Sequence, residues 1–150
     1  MLKLTKKADY GLISLKHLAV KHRSASAKEI SDTYGIPLPL LSKVLQTLAR
    51  SGFLTAEHGT NGGYRLRRDP HQITTLEVIR SIDGPVFLTS CFTAQGECGL
   101  SQRCNVKEPL KKVHDGIHNL LQSMTIADMC DEEELAGPGC GPIDRDTQRY

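Results

Sequence analysis

The stretch from Ser24 to Gly52 constrains the fold most, because its punctuation admits two short helices and a tight turn between them. Ser26 and Glu29 have the S-x-x-E spacing of a capping box, and Gly35 is a natural helix stop. After the turn Ile36-Pro37-Leu38, Pro39 suits the first position of the next helix, where its missing N–H is not needed. Leu41, Val44, Leu45 and Leu48 then recur at three-and-four spacing before Gly52, which predicts one buried stripe.

The flanks complete a pattern. Leu12, Leu15, Leu18 and Ala19 predict an amphipathic first helix from Thr5 or Lys6 to about His22. Residues 53–68 hold two strand-like runs around a Gly-rich tip, Gly59 to Gly63, the signature of a hairpin. Three helices followed by a hairpin is the layout of a winged helix-turn-helix, so residues 1–84, closed by a fourth helix from Thr75 to Gly84, read as one mainly α DNA-binding domain. Residues 85–106 form a cysteine-rich loop. Apolar residues at 110, 113, 117, 120, 121 and 124 then approach the 3.5-residue period of a coiled-coil seam. A long helix over 107–127 is expected to pair with a copy of itself through Leu110, Val113, Ile117 and Leu121; the alternative is that this seam packs on its own domain. Residues 128–150, acidic and rich in Gly and Pro, are expected to be disordered.

Charge follows the same division. The whole chain of 150 residues carries +2, but from Asp128 onward seven acids face two arginines, so residues 1–127 carry +7. A basic body fits a polyanion partner and equally an ordinary solvated surface. No apolar run approaches a membrane span and no secretory leader is visible, so a cytoplasmic location is expected. Thiols stay reduced there, so Cys91, Cys98 and Cys104 read as cluster or metal ligands or as redox centres. Their C-x6-C-x5-C spacing is too open for a zinc knuckle and suits the wider span of an iron-sulfur cluster. Disulfide-based sensing by the same three thiols is the alternative, and Cys130 and Cys140 read as bystanders. No nucleophile elbow or phosphate loop is present, and the Gly-rich tip lacks the strand-to-helix context of nucleotide motifs, so an enzyme is not expected.

In such a domain the third helix enters the major groove. Its outward positions are Pro39, Leu40, Ser42, Lys43 and Gln46. Lys43 suits guanine or phosphate, Gln46 suits adenine, Ser42 suits either strand and Leu40 suits a thymine methyl. Arg65, Arg67 and Arg68 of the hairpin suit phosphate or the minor groove, and Thr5 and Lys6 suit phosphate. Each of these, taken singly, is equally well a solvated surface side chain.

Five features occur in a fixed order: Leu4-Thr-Lys-Lys-Ala-Asp-Tyr10, Ile36-Pro-Leu-Pro-Leu-Leu41, Gly59-Thr-Asn-Gly-Gly-Tyr-Arg-Leu66, Leu76-Glu-Val-Ile79 and the three-cysteine loop. Together, over residues 1 to about 127, they resemble the Rrf-two-type family of bacterial transcription regulators, with its IscR-like, NsrR-like and SUF-operon branches. The resemblance implies a homodimeric repressor on a palindromic double-stranded operator, SUF-type cluster-assembly genes among the candidate targets. It also implies an iron-sulfur cluster on Cys91, Cys98 and Cys104 that reports iron-sulfur status, oxidants or nitric oxide. The first cysteine gap is six residues where the family has about five. Lys107 stands where the IscR-like branch has a histidine ligand, and a protonated ammonium cannot ligate iron. Asp9 resembles the acidic fourth ligand of the NsrR-like branch, although it also reads as a first-turn acid that complements the helix dipole. Without the histidine, a four-iron (4Fe-4S) cluster is expected in preference to a two-iron (2Fe-2S) one.

Overall fold

A computed structural model describes residues 3–60, 62–93, 99–100 and 102–136, and the account below is confined to them. The chain is mainly helical with one antiparallel hairpin. Helix α1 spans Lys6–Lys21, α2 Ala27–Tyr34, α3 Leu38–Arg50, α4 Thr75–Asp83, α5 Lys107–Ser123 and α6 Glu132–Leu135; strands β1 Leu54–Glu57 and β2 Gly63–Leu66 form the wing. The strands pair in register from Leu54↔Leu66 to Glu57↔Gly63.

Local chemistry explains the boundaries. Thr5 caps α1 by accepting the Ala8 amide at 3.1 Å. Ser26 caps α2 through the Glu29 amide, but the other half of the expected box is missing: the Glu29 carboxylate instead takes the Arg23 guanidinium at 2.6 and 3.1 Å. Gly35 ends α2 at φ 67°, a left-handed conformation that costs glycine little. Helix α3 begins at Leu38, one residue earlier than Pro39 suggests, and Pro39 sits within its first turn. Thr74 and Glu77 form a complete capping box on α4.

The core gathers Leu15 and Leu18 of α1, Ile30 of α2, Leu41, Val44, Leu45 and Leu48 of α3, and Leu54 and Ile73 beyond. Reciprocal backbone bonds between Ala25 and Tyr64, at 3.0 and 2.8 Å, add the α1–α2 link to the edge of the wing. The wing is thereby fixed to the helices rather than hanging from them.

The chain after α5 departs from expectation. The helix stops at Ser123, not 127, and the backbone turns to pair with the approach to α4: Thr75 donates to the Met124 carbonyl at 2.8 Å and Ile126 to the Ile73 carbonyl at 2.9 Å. Ile126 is fully buried, Ala127 nearly so, and Cys130 joins the main core with its thiol against the Ile126 carbonyl at 3.4 Å. Asp131 caps α6, whose Glu134 meets Lys16 of α1 at 3.4 Å. Disorder from residue 128 is therefore corrected for 128–136, and Cys130, read as a bystander to the cysteine loop, is a core residue. Three small or apolar side chains at 126, 127 and 130 find a seat between α1 and the Pro70–Gln72 turn. The acid-rich composition conceals that spacing. Residues 137–150, with Cys140, lie outside the described residues.

Burial also disfavours the charged form of one titratable group. His17 is 4% exposed; its Nδ1 meets the Tyr34 hydroxyl at 2.9 Å, and its Nε2 has no hydrogen-bond partner among the described residues, with Glu29 3.8 Å away. Loss of water lowers its pKa; Glu29 opposes this, while Lys21 and Arg23 reinforce it. Unfolded histidine takes up a proton near about pH 6.5, and the folded site resists doing so. The stability this group contributes is therefore complete above that pH and declines as pH falls through it. Urea midpoints are expected to drop from about pH 7.5 to 5.5, and to drop less in His17→Gln, which keeps a polar group near Tyr34 but does not titrate.

Candidate nucleic-acid interface and cysteine loop

Helix α3 divides cleanly. Leu41, Val44, Leu45 and Leu48 are buried, while Pro39, Lys43 and Gln46 are exposed and Leu40 and Ser42 half-buried. Leu38 also stands 40% exposed at the head of this face. Reading Pro39 as the first helical residue left Leu38 in the turn, and only the earlier helix start brings it in.

The wing arginines differ from one another. Arg65 is exposed and pairs along the hairpin with Glu57 at 3.2 Å. Arg67 is exposed, and among the described residues its guanidinium has no ion-pair partner. Arg68 is committed inward: it donates to the Gln72 carbonyl at 2.8 Å, approaches Glu77 at 3.4 Å and lies over the Phe53 ring at 5.5 Å. Loss of water raises the Glu77 pKa, but the Thr74 amide and Arg68 outweigh it and hold the carboxyl below its ordinary range. Thr5 is engaged as well, donating to both Asp83 carboxylate oxygens at 2.7 and 2.8 Å and so tying the head of α1 to the foot of α4. Lys6 beside it is exposed.

The cysteine loop begins where α4 ends. Cys91 lies in the single turn Ser90–Phe92, half-buried, with its sulfur 2.8 Å from the Thr89 hydroxyl. Cys104, also half-buried and unpaired, precedes α5, whose first residue is Lys107. Cys98 lies outside the described residues. Asp9 occupies the first turn of α1. Among the described residues no three His, Cys, Asp or Glu side chains come close enough to hold a metal ion, so one chain does not bring Asp9 together with Cys91 and Cys104. The donor chemistry of the two described thiols nonetheless fits a thiolate-held cluster.

The approach to Cys91 folds against α5, which spacing alone did not indicate. Leu88 donates to His114 at 3.4 Å, Phe92 lies over the same ring at 5.0 Å, and His118 reaches the Val86 carbonyl at 2.6 Å. Burial and the neighbouring His118 lower the His114 pKa, with Asp115 opposing and Lys111 reinforcing. Of the expected seam, Leu121 packs on Leu76, Ile79 and Val86 of its own chain. Val113 is instead 51% exposed, and Leu120 and Met124 face solvent with it.

A model of the family described as iron-dependent transcriptional regulators matches residues 4–132. The chain belongs to the Rrf2 family. This Rrf2 chain is a transcriptional regulator and not an enzyme. Its fold is similar to CymR, the global cysteine regulator of B. subtilis, at 28% identity over 86% of this chain and 96% of that one, with a TM-score of 0.70. It is also similar to IscR of T. potens, at 28% identity, 93% and 94% coverage and a TM-score of 0.67. The oxidized form of Staphylococcus aureus CymR, at 22% identity over 85% of this chain and 94% of that one with a TM-score of 0.66, shares the fold.

The wing arginines of this Rrf2 regulator differ in their contacts, and salt titration reads whether they differ in DNA binding. Arg67→Ala is expected to weaken DNA binding and reduce the log–log salt slope by about one. Arg68→Ala is expected to lower the unfolding midpoint and leave that slope unchanged. Anisotropy titrations across a salt series, paired with thermal melts, check both.

Proposed function

We propose that this Rrf2 regulator is a cytoplasmic homodimeric repressor that seats α3 in the major groove of each half of a palindromic operator. The polar face of α3, with Pro39, Lys43 and Gln46 exposed over a fully buried opposite stripe, carries the reading. Lys6, Arg65 and Arg67 suit the flanking phosphates or minor groove, while Thr5 and Arg68 serve by holding the frame. The outward stripe of Val113, Leu120 and Met124, continued by Leu110 and Ile117, supports a second copy on α5. Leu120→Asp is expected to put a charge in that interface and halve the mass seen by light scattering; a mass that stays dimeric would place the interface elsewhere.

The cysteine loop is the sensor in this reading. Cys91, Cys98 and Cys104 would hold an iron-sulfur cluster, four-iron in preference to two-iron, with Asp9 of the other copy as the fourth donor. The iron-dependent description of the family and the likeness to IscR support this. A carboxylate is a harder donor than a thiolate, which would make the bound group labile. A second reading, thiol sensing without a cluster, is favoured by the likeness to CymR, a global cysteine regulator whose S. aureus counterpart exists in an oxidized form.

Iron and sulfide counting after purification without oxygen separates the two. Cluster absorption is expected in the wild type and absent in Cys91→Ser, Cys98→Ser or Cys104→Ser. Cys130→Ser is expected to keep the absorption while lowering stability, because it places a hydroxyl in the core. Protein that is colourless and retains no iron after reconstitution would favour the thiol reading.

A further inference from the structure

Two histidines one turn apart on α5 hold the stretch that leads into Cys91, and the ligand set proposed above does not use them. His118 places Nε2 2.6 Å from the Val86 carbonyl. A carbonyl only accepts, so that nitrogen carries the proton, and Nδ1 is left as an acceptor. Arg80 of α4 donates to it at 3.4 Å. His114 is set the same way: the Leu88 amide donates to its Nδ1 at 3.4 Å, which leaves the proton on Nε2. The two rings lie 4.3 Å apart; Phe87 stacks parallel to His114 at 6.3 Å, and Phe92 tilts over it at 5.0 Å. Apart from the Arg80 bond and the pairing of the two rings, these contacts fall within Val86–Phe92. Cys91 is bracketed by Thr89, whose hydroxyl touches its sulfur, and by Phe92 on the His114 ring.

We propose that His114 and His118 are positioning residues that clasp the Val86–Phe92 stretch to α5, fix the setting of the Cys91 thiol and join it to α4 through Arg80. The role rests on the reading of the cysteine loop as the sensor, and it assigns a route from that loop to the DNA-binding unit. Both nitrogens of His118 are used, one giving and one accepting, which a lysine in its place could not do because an ammonium has no acceptor. The contact to Arg80 makes the clasp more than a local prop. Helix α4 packs on α1 and α3, so a loop held to α4 is held to the frame that carries the recognition face.

The test is the rate at which iodoacetamide alkylates Cys91 in the whole metal-free chain, read by peptide mass spectrometry. Buried Cys130 serves as the gauge of general unfolding. His118→Leu is expected to speed Cys91 alkylation about fivefold, the effect of removing about one hydrogen bond from a local opening equilibrium, with Cys130 unchanged. His114→Leu should act in the same direction. His118→Gln, whose amide still donates to the Val86 carbonyl, should stay near the wild-type rate. Long-range nitrogen NMR of wild-type protein should show both rings in the Nε2–H form.

Unchanged Cys91 rates in both leucine variants would overturn the clasp. So would a glutamine variant that matches the leucine one, or a Cys130 rate that rises in step with Cys91. DNA titrations of alkylated and unalkylated wild-type protein report separately on the sensor reading: equal affinities would sink that reading while the alkylation rates still decide the clasp.

Discussion

Burial of one stripe of α3 sets the rest of the structure. Leu41, Val44, Leu45 and Leu48 lie against α1 and its neighbours with almost no exposure, and a helix whose stripe is fixed this way has no freedom to rotate about its axis. Lys43 and Gln46 point outward for that reason, not because their own interactions hold them there. A core substitution such as Leu45→Ala therefore does two things at once. It removes about 2–5 kcal/mol of stability and loosens the aim of the polar face.

Helix α4 distributes that order. It packs on α1 and α3 within the winged unit and on α5 outside it, and its two ends are secured by different chemistry. At its head, Thr74 and Glu77 cap one another and Glu77 also holds Arg68. At its foot, Asp83 holds Thr5 at the start of α1. Thr5 and Arg68, which read from the sequence as phosphate candidates, are engaged in this frame, whereas Lys6 and Arg67 beside them are left exposed.

Much of this was legible in the sequence because it depends on periodicity and on special residues. The apolar rows of the first and third helices, the Gly35 stop, the hairpin around Gly59–Gly63 and the family signature all follow from spacing. What escaped depends on which partner a side chain finds once the chain has folded. Glu29 satisfies the capping spacing, yet its carboxylate prefers a guanidinium six residues back. Arg68 reads like Arg67 until Phe53 and Glu77 are seen beneath it. Cys130 stands among acids, and only tertiary contact shows that Ile126, Ala127 and Cys130 make an apolar face in a segment that composition marks as soluble. His114 illustrates the same limit, since distance along a helix says nothing about a loop that folds back.

The return of the chain after α5 has a mechanical meaning. Near its middle, α5 is fastened through its histidines to the stretch that leaves α4, and beyond its end it is fastened by Met124 and Ile126 to the strand-like approach to α4. A beam pinned at two points cannot swivel about either. In the pair proposed for α5, the distance and angle between the two reading heads would be properties of the beam, and such a pair would measure the separation of half-sites with a stiff ruler.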